Sequence, residues 1–225
     1  MGKMIFRKDK IIELCTNKRV LHLGFIQHSA LYEDKIKNDD WLHEKINKVA
    51  LNLIGFDYLK DDVEKIKEKY GYECYWADVT NSEKMKGLTN LGAFDVVVCG
   101  ELIEHVDNPG LMLENIKMFM NRESILIITT PNPWSRQRIN LINNRILEEK
   151  WLNKEHVCWY SYQTLKQLLT RRCFVEKFYG YYISEKKEDF QELCFMDKIK
   201  SFFKKKFILK KEYLFDGLFF VAKIK

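Results

Sequence analysis

The sequence predicts an α/β fold with a mostly parallel sheet of seven strands, helices on both faces and an antiparallel strand pair at the C-terminal end. One observation is a strand–turn–helix–strand unit in residues 94–133, which opens with a buried β-branched run and a glycine, Gly100. Another is that two earlier apolar runs each end in an acid, Asp57 and Asp78. Because open parallel sheets carry their binding sites at the carboxyl ends of the strands, the polar turn and both acids are predicted to meet at one rim.

Apolar runs and helical spacing place each element in order. Strands are predicted at residues 19–24, 51–57, 72–78, 94–99, 124–130, 174–182 and 213–224, where β-branched and aromatic residues are concentrated. Helices are predicted at residues 5–17, 41–49, 61–69, 111–120, 139–150 and 162–169, where apolar residues recur at helical spacing. Gly71 is the predicted end of the third helix, and Ser161 is the predicted N-cap of the last one.

The chain is predicted to form one domain, residues 1–182 and 212–225, with a basic helical insertion at residues 183–211 that acts as a lid or packing element. The net charge is +6, and lysines are concentrated in residues 198–211. Two interpretations of this tract remain open. It makes a weak contact with a membrane surface or another anionic partner, or it is a solvent-exposed lysine-rich face.

Composition indicates a globular protein of the cytoplasm. Of the 225 residues, 46% are hydrophobic and 31% are charged, which is usual for a globular domain. No apolar run reaches about 18 residues, so no transmembrane segment is predicted, and the N-terminus lacks the features of a secretory signal. Six scattered cysteines without a C-x-x-C pair fit reduced thiols better than disulfides or a zinc cluster.

The polar turn at residues 101–105 places two carboxylates and one imidazole together. If the turn is helical, Glu101 lies beside both Glu104 and His105. Two carboxylates repel each other unless a cation, a proton or a base compensates their charge, and this donor set suits Mg²⁺, Mn²⁺ or Fe²⁺. A structural interpretation stays open, in which Glu104 caps a helix and His105 fills a polar position in the core.

The segment ELIEHVDNP, residues 101–109, followed by a strand that ends in TTPNP, resembles the fourth and fifth strand region of class I S-adenosylmethionine (SAM) dependent methyltransferases. The resemblance covers about residues 15–182 and implies a Rossmann-like fold. The Glu-x-x-Glu-His pattern is similar to the metal-binding motif of small-RNA 3′-terminal 2′-O-methyltransferases, and some ubiquinone-pathway O-methyltransferases carry a similar motif. In the RNA enzymes a downstream histidine completes the site, and His156 lies in the corresponding loop.

The resemblance implies that SAM is the cofactor. Asp57, an acid at the end of the second strand, can accept hydrogen bonds from both ribose hydroxyls. The family pattern places Asp78 on the adenine amino group and the backbone of Val79 beside the ring. Asp78 followed by a polar turn is also typical turn chemistry, so a purely structural role stays open.

The first strand departs from the family pattern. The family normally shows an acid and several glycines here, whereas His22 replaces the acid, residues 25–28 replace the glycine-rich turn, and Gly24 remains. The residues predicted to bind the cofactor are His22, Gly24, Phe25, His28, Asp57, Tyr58, Asp78, Val79, Gly100, Glu101 and Leu102.

The resemblance assigns the chemistry to the polar turn and the later histidine. A divalent metal would bind the acceptor hydroxyl and lower its pKa, with Glu101, Glu104, His105 and His156 as the predicted ligands. Without a metal, His105 or His156 serves directly as the base. The predicted catalytic residues are His105, His156 and Glu104.

Residues that follow the fifth strand are predicted to hold the acceptor. Trp134 is a candidate floor of this site, and Arg136 and Arg138 are candidates for binding a phosphate or carboxylate. Trp159 and Tyr160 complete the predicted acceptor site. For the two arginines, a solvent-facing helix start is the alternative interpretation.

The predicted function is SAM-dependent methyl transfer to a hydroxyl of a sugar, a glycan, a phosphorylated metabolite or another small molecule, with or without metal assistance. A nitrogen acceptor stays open, and the first-strand departures at His22 and Phe25 favour an alternative, a non-catalytic SAM- or nucleoside-binding module. RNA 2′-O-methylation is less favoured because the sequence shows no basic stripe with interleaved aromatics outside the tail. The absent G-x-G-x-x-G pattern disfavours a NAD-dependent oxidoreductase. None of these patterns specifies the oligomeric state.

Overall fold

The structure, a computed structural model, describes residues 3–26, 32–150, 153–183 and 212–225, and these residues contain eight strands. The strands are β1 (Lys3–Phe6), β2 (Arg19–Leu23), β3 (Asn52–Asp57), β4 (Cys74–Trp76), β5 (Val96–Gly100), β6 (Ile125–Pro131), β7 (Phe174–Ile183) and β8 (Gly217–Ile224). The helices are α1 (Arg7–Cys15), α2 (Tyr32–Lys37), α3 (Leu42–Asn47), α4 (Lys60–Tyr70), α5 (Ser82–Lys86), α6 (Pro109–Lys117), α7 (Arg136–Asn143) and α8 (Tyr162–Arg171). Short 3₁₀ turns lie at Thr89–Leu91, Ile103–His105, Glu148–Lys150 and Glu212–Leu214.

The eight described strands form one sheet in the order β1-β7-β8-β6-β5-β2-β3-β4. β8 pairs antiparallel with β6 and β7, and the other pairings of this sheet are parallel. The predicted α/β class and the C-terminal antiparallel pair are therefore confirmed. Because β1 to β7 run in one direction, their carboxyl ends meet at one rim.

The prediction of seven strands is wrong, because residues 3–6 form an additional strand, β1. Helical spacing predicts a helix over residues 5–17, but α1 begins at Arg7, and the residues before it pair in parallel with β7. Three apolar residues in a row fit either a strand or the start of a helix. These residues form a strand because they pair with the edge of β7, which is distant in the sequence.

Helices cover both faces of the sheet, as predicted. Successive residues of a strand point to opposite faces, so Val20 of β2 packs with α1 and α3, whereas Leu21 packs with α5, α6 and α8. The helical members of the two clusters are Ile11, Cys15, Leu42 and Ile46 on one face and Met85, Met112, Leu113, Ile116, Leu165 and Leu169 on the other. Because the helices lie on the faces of the sheet, its rim is formed by loops, and these loops carry the site.

Two helix ends follow the predicted capping. Gly71 ends α4 in the left-handed conformation, with φ of 71°. Ser161 begins α8 with a reciprocal capping box: its hydroxyl accepts the Thr164 N–H at 3.2 Å, and the Thr164 hydroxyl accepts the Ser161 N–H at 2.9 Å. These caps fix where α8 starts and hence where the preceding loop reaches the rim.

The helix predicted over residues 139–150 is shorter and begins earlier. α7 starts at Arg136 and ends at Asn143. The Ser135 hydroxyl accepts the Arg138 N–H at 3.4 Å and so caps a helix that apolar spacing alone places later in the chain.

The predicted basic insertion lies outside the described residues except for Ile183, the last residue of β7. The cysteines in the described part of the chain are free thiols: Cys15, Cys74, Cys99, Cys158 and Cys173. No helix in that part combines the length and the apolar composition needed to span a membrane.

Candidate functional site

Two adjoining cavities lie at the rim of the sheet. The first has a volume of about 430 Å³ and follows the ends of β3 and β4, and the second has a volume of about 390 Å³ and follows the ends of β5 and β6. Both cavities are lined by Gly24, Asp57, Tyr58, Leu102, His105 and Glu155. Because they share these walls, the cavities are two ends of one site.

Asp57 lies where both cavities meet and is nearly fully buried. Its Oδ2 accepts the Ile26 N–H at 3.0 Å, and its Oδ1 accepts the Leu59 N–H at 3.1 Å. Burial raises the pKa of this carboxyl, and the backbone N–H groups oppose the shift. Each carboxylate oxygen keeps a second lone pair, so Asp57 can still accept hydrogen bonds from a ligand.

Asp78 and Val79 line the first cavity after β4. Asp78 Oδ1 accepts the N–H of Thr80 at 2.8 Å and its hydroxyl at 2.7 Å, so the acid has the turn role that the sequence left open. Val79 is buried, and its carbonyl accepts a hydrogen bond from Asn115 Nδ2 at 2.9 Å. The exposed carboxylate of Asp78 beside the fixed apolar side chain of Val79 suits a planar ring that has polar groups at its edge.

Gly24 forms the turn after β2. Its φ is +63°, and a Cβ at this position would lie 3.1 Å from Leu102 Cδ1. Both the left-handed conformation and the close contact therefore favour glycine. The other predicted cofactor residues that line the cavities are Asp57, Tyr58, Asp78, Val79, Gly100, Glu101 and Leu102.

His22 and Phe25 are placed in the core and line neither cavity. The Nδ1 atom of His22 lies 3.2 Å from the Nδ1 atom of His43, and both rings are buried. Phe25 is fully buried, and its carbonyl accepts the Trp41 indole N–H at 2.9 Å. The structure thus does not bring these two residues to the cofactor site, and His28 lies outside the described residues.

The polar turn and the later loop meet as the sequence predicts. Single ligand atoms of Glu104, His105 and His156 all lie within 4.8 Å of one another, and the two imidazole rings are 4.7 Å apart. The Glu104 carbonyl accepts the N–H groups of Val157 at 2.9 Å and Cys158 at 3.2 Å. These backbone bonds hold the loop that carries His156 against the polar turn.

Glu104 is the most unusual member of this cluster. It is 1% exposed, and both of its carboxylate oxygens lack a hydrogen-bond partner among the described residues. Burial and the nearby charge of Glu101 raise its pKa to about 8. His156 Nδ1 is also buried without such a partner, and burial together with His105 and Arg138 lowers the pKa of His156. Unpartnered buried donors and acceptors are costly, so their concentration here indicates a binding role.

Glu101 faces the second cavity but has partners of its own. Its Oε1 accepts the Tyr182 hydroxyl at 2.8 Å and lies 3.9 Å from Arg7 Nε. Its φ of +54° is uncommon for a residue other than glycine. Glu101 lies outside the three-residue cluster that could hold a metal, so the structure brings together Glu104, His105 and His156 of the four predicted ligands.

None of the predicted acceptor residues lines the second cavity. Trp134 and Arg136 are exposed. Arg138 donates to the Asn132 carbonyl at 2.6 Å and stacks over the Trp159 ring, with its Cζ atom 4.6 Å from the ring centroid. Arg138 therefore supports the loop and leaves Arg136 as the exposed cation of the pair.

Tyr160 lies behind the cluster. It is nearly fully buried, and its hydroxyl has no hydrogen-bond partner among the described residues. A third cavity, of about 460 Å³, begins near the next residue, and its aromatic walls are Trp134, Tyr162, Tyr181 and Tyr213. Trp134 is thus an exposed wall of this third cavity.

Sequence patterns missed Arg7, Lys35 and Tyr182, which the fold brings to the site. Arg7 and Lys35 line the second cavity, and Tyr182 binds Glu101. Tyr182 lies 81 positions from Glu101, and its sequence context predicts only a strand. The local feature that points to Arg7 is its position directly after the apolar residues 4–6, where a strand could end at the rim.

Comparisons with known proteins agree with this architecture. A family model described as a methyltransferase domain matches residues 6–174. The ubiquinone biosynthesis O-methyltransferase of Colwellia psychrerythraea is 28% identical over 94 residues, which cover 40% of this chain and 37% of the relative. The enzyme of the same name from Actinobacillus pleuropneumoniae is 26% identical over 123 residues, or 50% of this chain and 53% of the relative. The chain thus spans about half or less of the length of these curated relatives.

Solved structures share the fold over nearly the whole chain. A SAM-dependent methyltransferase from Archaeoglobus fulgidus has a TM-score of 0.58 and 19% identity, covering 96% of this chain and 91% of that chain. The N-methyltransferase NodS from Bradyrhizobium japonicum, in complex with S-adenosylhomocysteine, has a TM-score of 0.56 and 10% identity, covering 97% and 85%. With the family match over most of its length, this chain belongs to the methyltransferase domain family and has the fold of the class I SAM-dependent methyltransferases.

Proposed function

We propose that this protein transfers the methyl group of SAM to a hydroxyl group of a small-molecule acceptor. The observation that carries the proposal is the cluster of the buried Glu104 with the half-buried His105 and His156 in the second cavity. A hydroxyl must lose its proton as it attacks, so an acceptor site for oxygen needs a base or a Lewis acid. The two curated relatives are named as O-methyltransferases, which also favours oxygen.

The two cavities fit SAM. Asp57 offers acceptors for the ribose hydroxyls, and Asp78 and Val79 offer an acid and an apolar wall for adenine. Gly24 keeps the backbone after β2 free of a side chain where both cavities meet. When bound, the cofactor supplies an electrophilic methyl group, and the residues of the second cavity orient the acceptor toward it.

The imidazoles are the proposed bases. The pKa of His156 is lowered by burial and by its charged neighbours, so its ring is neutral at pH 7 and can accept a proton. Glu104, with its pKa raised to about 8, is mostly protonated near neutral pH and so adds little negative charge beside the imidazoles.

Metal assistance is the second form of this proposal. The donor set of one carboxylate and two imidazoles, with ligand atoms within 4.8 Å of one another, fits Mn²⁺ or Fe²⁺ better than Mg²⁺, which prefers oxygen ligands. The unpartnered atoms of Glu104 and His156 are suited to bind such an ion. A metal would supply Lewis acidity that lowers the pKa of the acceptor hydroxyl.

The acceptor is proposed to be a sugar, a phosphorylated metabolite or another small molecule. Its binding would use the second cavity, where the cations Arg7 and Lys35 can pair with a phosphate or carboxylate. To test the proposal, SAM with a labelled methyl group is incubated with sugars, sugar phosphates and phenols, and with amines of matching shape. Transfer to hydroxyl compounds is expected, and transfer to the amines alone would refute it.

Replacing the proposed base separates chemistry from binding. We expect His156→Ala to slow methyl transfer by about 100-fold or more, because a positioned base typically contributes that much. Binding of S-adenosylhomocysteine (SAH), measured by calorimetry, is expected to weaken far less than methyl transfer, because His156 does not line the first cavity, where the adenosine end of the cofactor is proposed to bind. Full activity in His156→Ala would exclude the residue as the base.

The metal is tested without any acceptor. Calorimetric titration with Mn²⁺ is expected to show one site in the native protein and none in Glu104→Gln, because the amide cannot provide the anionic ligand. Absence of Mn²⁺ binding to the native protein would leave the imidazoles as metal-independent bases, and equal binding to the variant would show that Glu104 is not a metal ligand.

A further inference from the structure

The ring of His156 packs against two other aromatic rings. Its centroid lies 4.7 Å from that of His105 and 5.5 Å from that of Trp159, and the interplanar angle is 86° in both contacts. Edge-to-face packing of this kind is one of the arrangements that aromatic rings prefer. His105 and His156 line the second cavity, whereas Trp159 lines neither the first cavity nor the second. Trp159 therefore contacts the proposed base from outside the site.

The indole of Trp159 is held on one face and at its polar edge. The Arg138 guanidinium lies over the ring, with its Cζ atom 4.6 Å from the ring centroid, which is within the range of a cation–π contact. The indole N–H donates to Glu148 Oε1 at 3.3 Å. Both contacts restrict the rotation of the indole and so fix the surface that it presents to His156.

Arg138 is in turn fixed to two connections of the sheet. Its Nη1 donates to the carbonyl of Asn132 at 2.6 Å, in the loop that follows β6. Asn132 is 1% exposed, and its Nδ2 donates to the carbonyls of Tyr213 and Phe215 at 2.8 Å each, just before β8. A guanidinium attached to this buried amide gives the Trp159 ring a rigid support.

The ring of His156 depends on packing for its orientation. A catalytic or metal-binding imidazole is usually oriented by a hydrogen bond on its other ring nitrogen. Here Nδ1 of His156 is buried and finds no hydrogen-bond partner in the described part of the chain. The backbone is fixed, because the His156 N–H donates to the Asn153 carbonyl at 3.0 Å, but this bond leaves the side-chain torsions free.

We infer that Trp159 and Arg138 are positioning residues that hold the ring of His156 toward the second cavity. The inference rests on the proposed function, in which His156 acts on the acceptor hydroxyl. It also gives a role to two side chains that the sequence pattern assigned to the acceptor site. Both act through His156 rather than by touching the acceptor, since neither lines the second cavity.

The kinetic test uses labelled SAM and the hydroxyl compound that gives the fastest transfer. Trp159→Leu and Arg138→Met are each expected to lower kcat by about 10- to 100-fold, the range that a misplaced catalytic group costs. The KM for the acceptor and the affinity for SAH, measured by calorimetry, are expected to stay within about threefold of native, because both residues lie outside the two cavities.

A double variant shows whether Trp159 acts through His156. In a His156→Ala background, Trp159→Leu is expected to change the residual rate by less than about threefold, because the ring that it positions is gone. A further large loss in that background would mean that Trp159 contributes independently of His156 and would overturn the inference.

Conservative variants and a distant arginine serve as controls. Trp159→Phe keeps an aromatic ring against His156 and is expected to keep most of the native rate. Arg138→Lys keeps a cation over the indole but not its planar stacking, so an intermediate rate is expected. Arg171→Met removes an exposed arginine at the end of α8 and is expected to behave as the native protein does.

The ring contact can also be tested without an acceptor. In protein with isotope-labelled histidine, the NMR signals of the His156 ring are identified by their loss in His156→Ala. Trp159→Leu is expected to shift these signals, because an adjacent indole changes the local magnetic field, whereas Arg171→Met is expected to leave them in place. Unshifted signals in Trp159→Leu would show that the two rings are not packed together and would refute the inference.

Failure of the inference and failure of the proposed function give different results. Slow transfer by His156→Ala together with native kcat in Trp159→Leu and Arg138→Met would refute the positioning role and leave the base in place. An equal loss of kcat and of SAH binding in both variants would show that the residues only support the fold. Full activity of His156→Ala would refute the base and, with it, this inference. If Trp159→Leu does not fold, Arg138→Met and Arg138→Lys provide the same comparison.

Discussion

The buried carboxyl of Glu104 lowers the stability of the fold when it is ionised. Its carboxyl is 1% exposed, and its pKa is raised from 4.5 to about 8 by burial and by Glu101. The folded state therefore binds more protons than the unfolded state between these values, and the stability of the fold decreases as the pH rises through that window. Keeping such a group is costly unless it binds a proton, a metal or a substrate.

Glu104→Gln is expected to stabilise the protein at alkaline pH. The amide has nearly the same shape but never ionises, so the burial cost of the charge is removed. The free energy of unfolding of the variant relative to native protein should increase from pH 5 to pH 9, by about 4 kcal/mol. Urea denaturation at several pH values, with a chelator present, measures this difference. Glu123→Gln at an exposed position is the control, and parallel curves for Glu104→Gln and native protein would contradict the prediction.

Site residues at strand ends were predictable because their position is a local feature. Asp57, Asp78 and Gly24 each follow an apolar run, and each lines a cavity as expected. The placement of His22 was not predictable in the same way. It lies in β2 between two leucines that face the other side of the sheet, and its partner His43 comes from a separate helix. Which face a polar strand residue meets depends on packing that the local sequence does not contain.

Elements were predictable where their pattern was long and their ends were capped. The buried runs of β2, β3, β5 and β6 and the capped helices α4 and α8 lie close to their predicted limits. β1 has only four residues, and whether such a segment is a strand depends on its neighbour β7. The sequence therefore predicted the part of the site at the centre of the sheet. It did not predict Arg7, which follows the edge strand β1.

The pairing of β7 with β8 supports the site through Tyr182. Gly217 lies opposite Tyr182 in the register, and a Cβ on Gly217 would overlap the tyrosine ring. Gly217→Ala should therefore lower the free energy of unfolding by about 1–3 kcal/mol, as overpacking does. It should also displace the hydroxyl that holds Glu101.

A double-mutant cycle tests this contact between strands. In a Tyr182→Ala background, Gly217→Ala is expected to cost less than about 1 kcal/mol, because the overlapping ring is gone. Urea denaturation of the four proteins gives the coupling free energy. An equal cost of Gly217→Ala in both backgrounds would show that another feature of the strand pair requires the glycine.

On the scale of the whole molecule, the site lies where the sheet reverses its order. After β2 the chain adds β3 and β4 on one side, and it then returns to place β5 and β6 on the other. The crevice between β2 and β5 is a switch point of the kind at which open α/β sheets bind ligands. Gly24 follows β2 and Glu101 follows β5, so the two loops separate there and make room for the cofactor.

The same centre of the molecule contains a buried pair of histidines that should control acid stability. Burial and the charge of Arg7 lower the pKa of His22 to about 3, and burial and His22 hold the pKa of His43 well below 6.5. The rings of Phe25, Trp41 and Tyr72 surround His43 at centroid distances of 4.6, 5.1 and 5.3 Å. Neither histidine can take up a proton without loss of this packing.

We therefore expect the free energy of unfolding to decrease as the pH falls below 6.5. The unfolded state then binds protons that the folded state excludes, so stability is fully present above 6.5 and is lost toward the low folded-state pKa values. At one pH unit below 6.5, the loss is about 1 kcal/mol for each histidine. The double variant His22→Leu/His43→Phe removes both titrating groups and should flatten the dependence between pH 6.5 and 4.5 in urea denaturation. His105 and His156 remain in this variant, so an unchanged slope would assign the acid sensitivity to the site instead of the core.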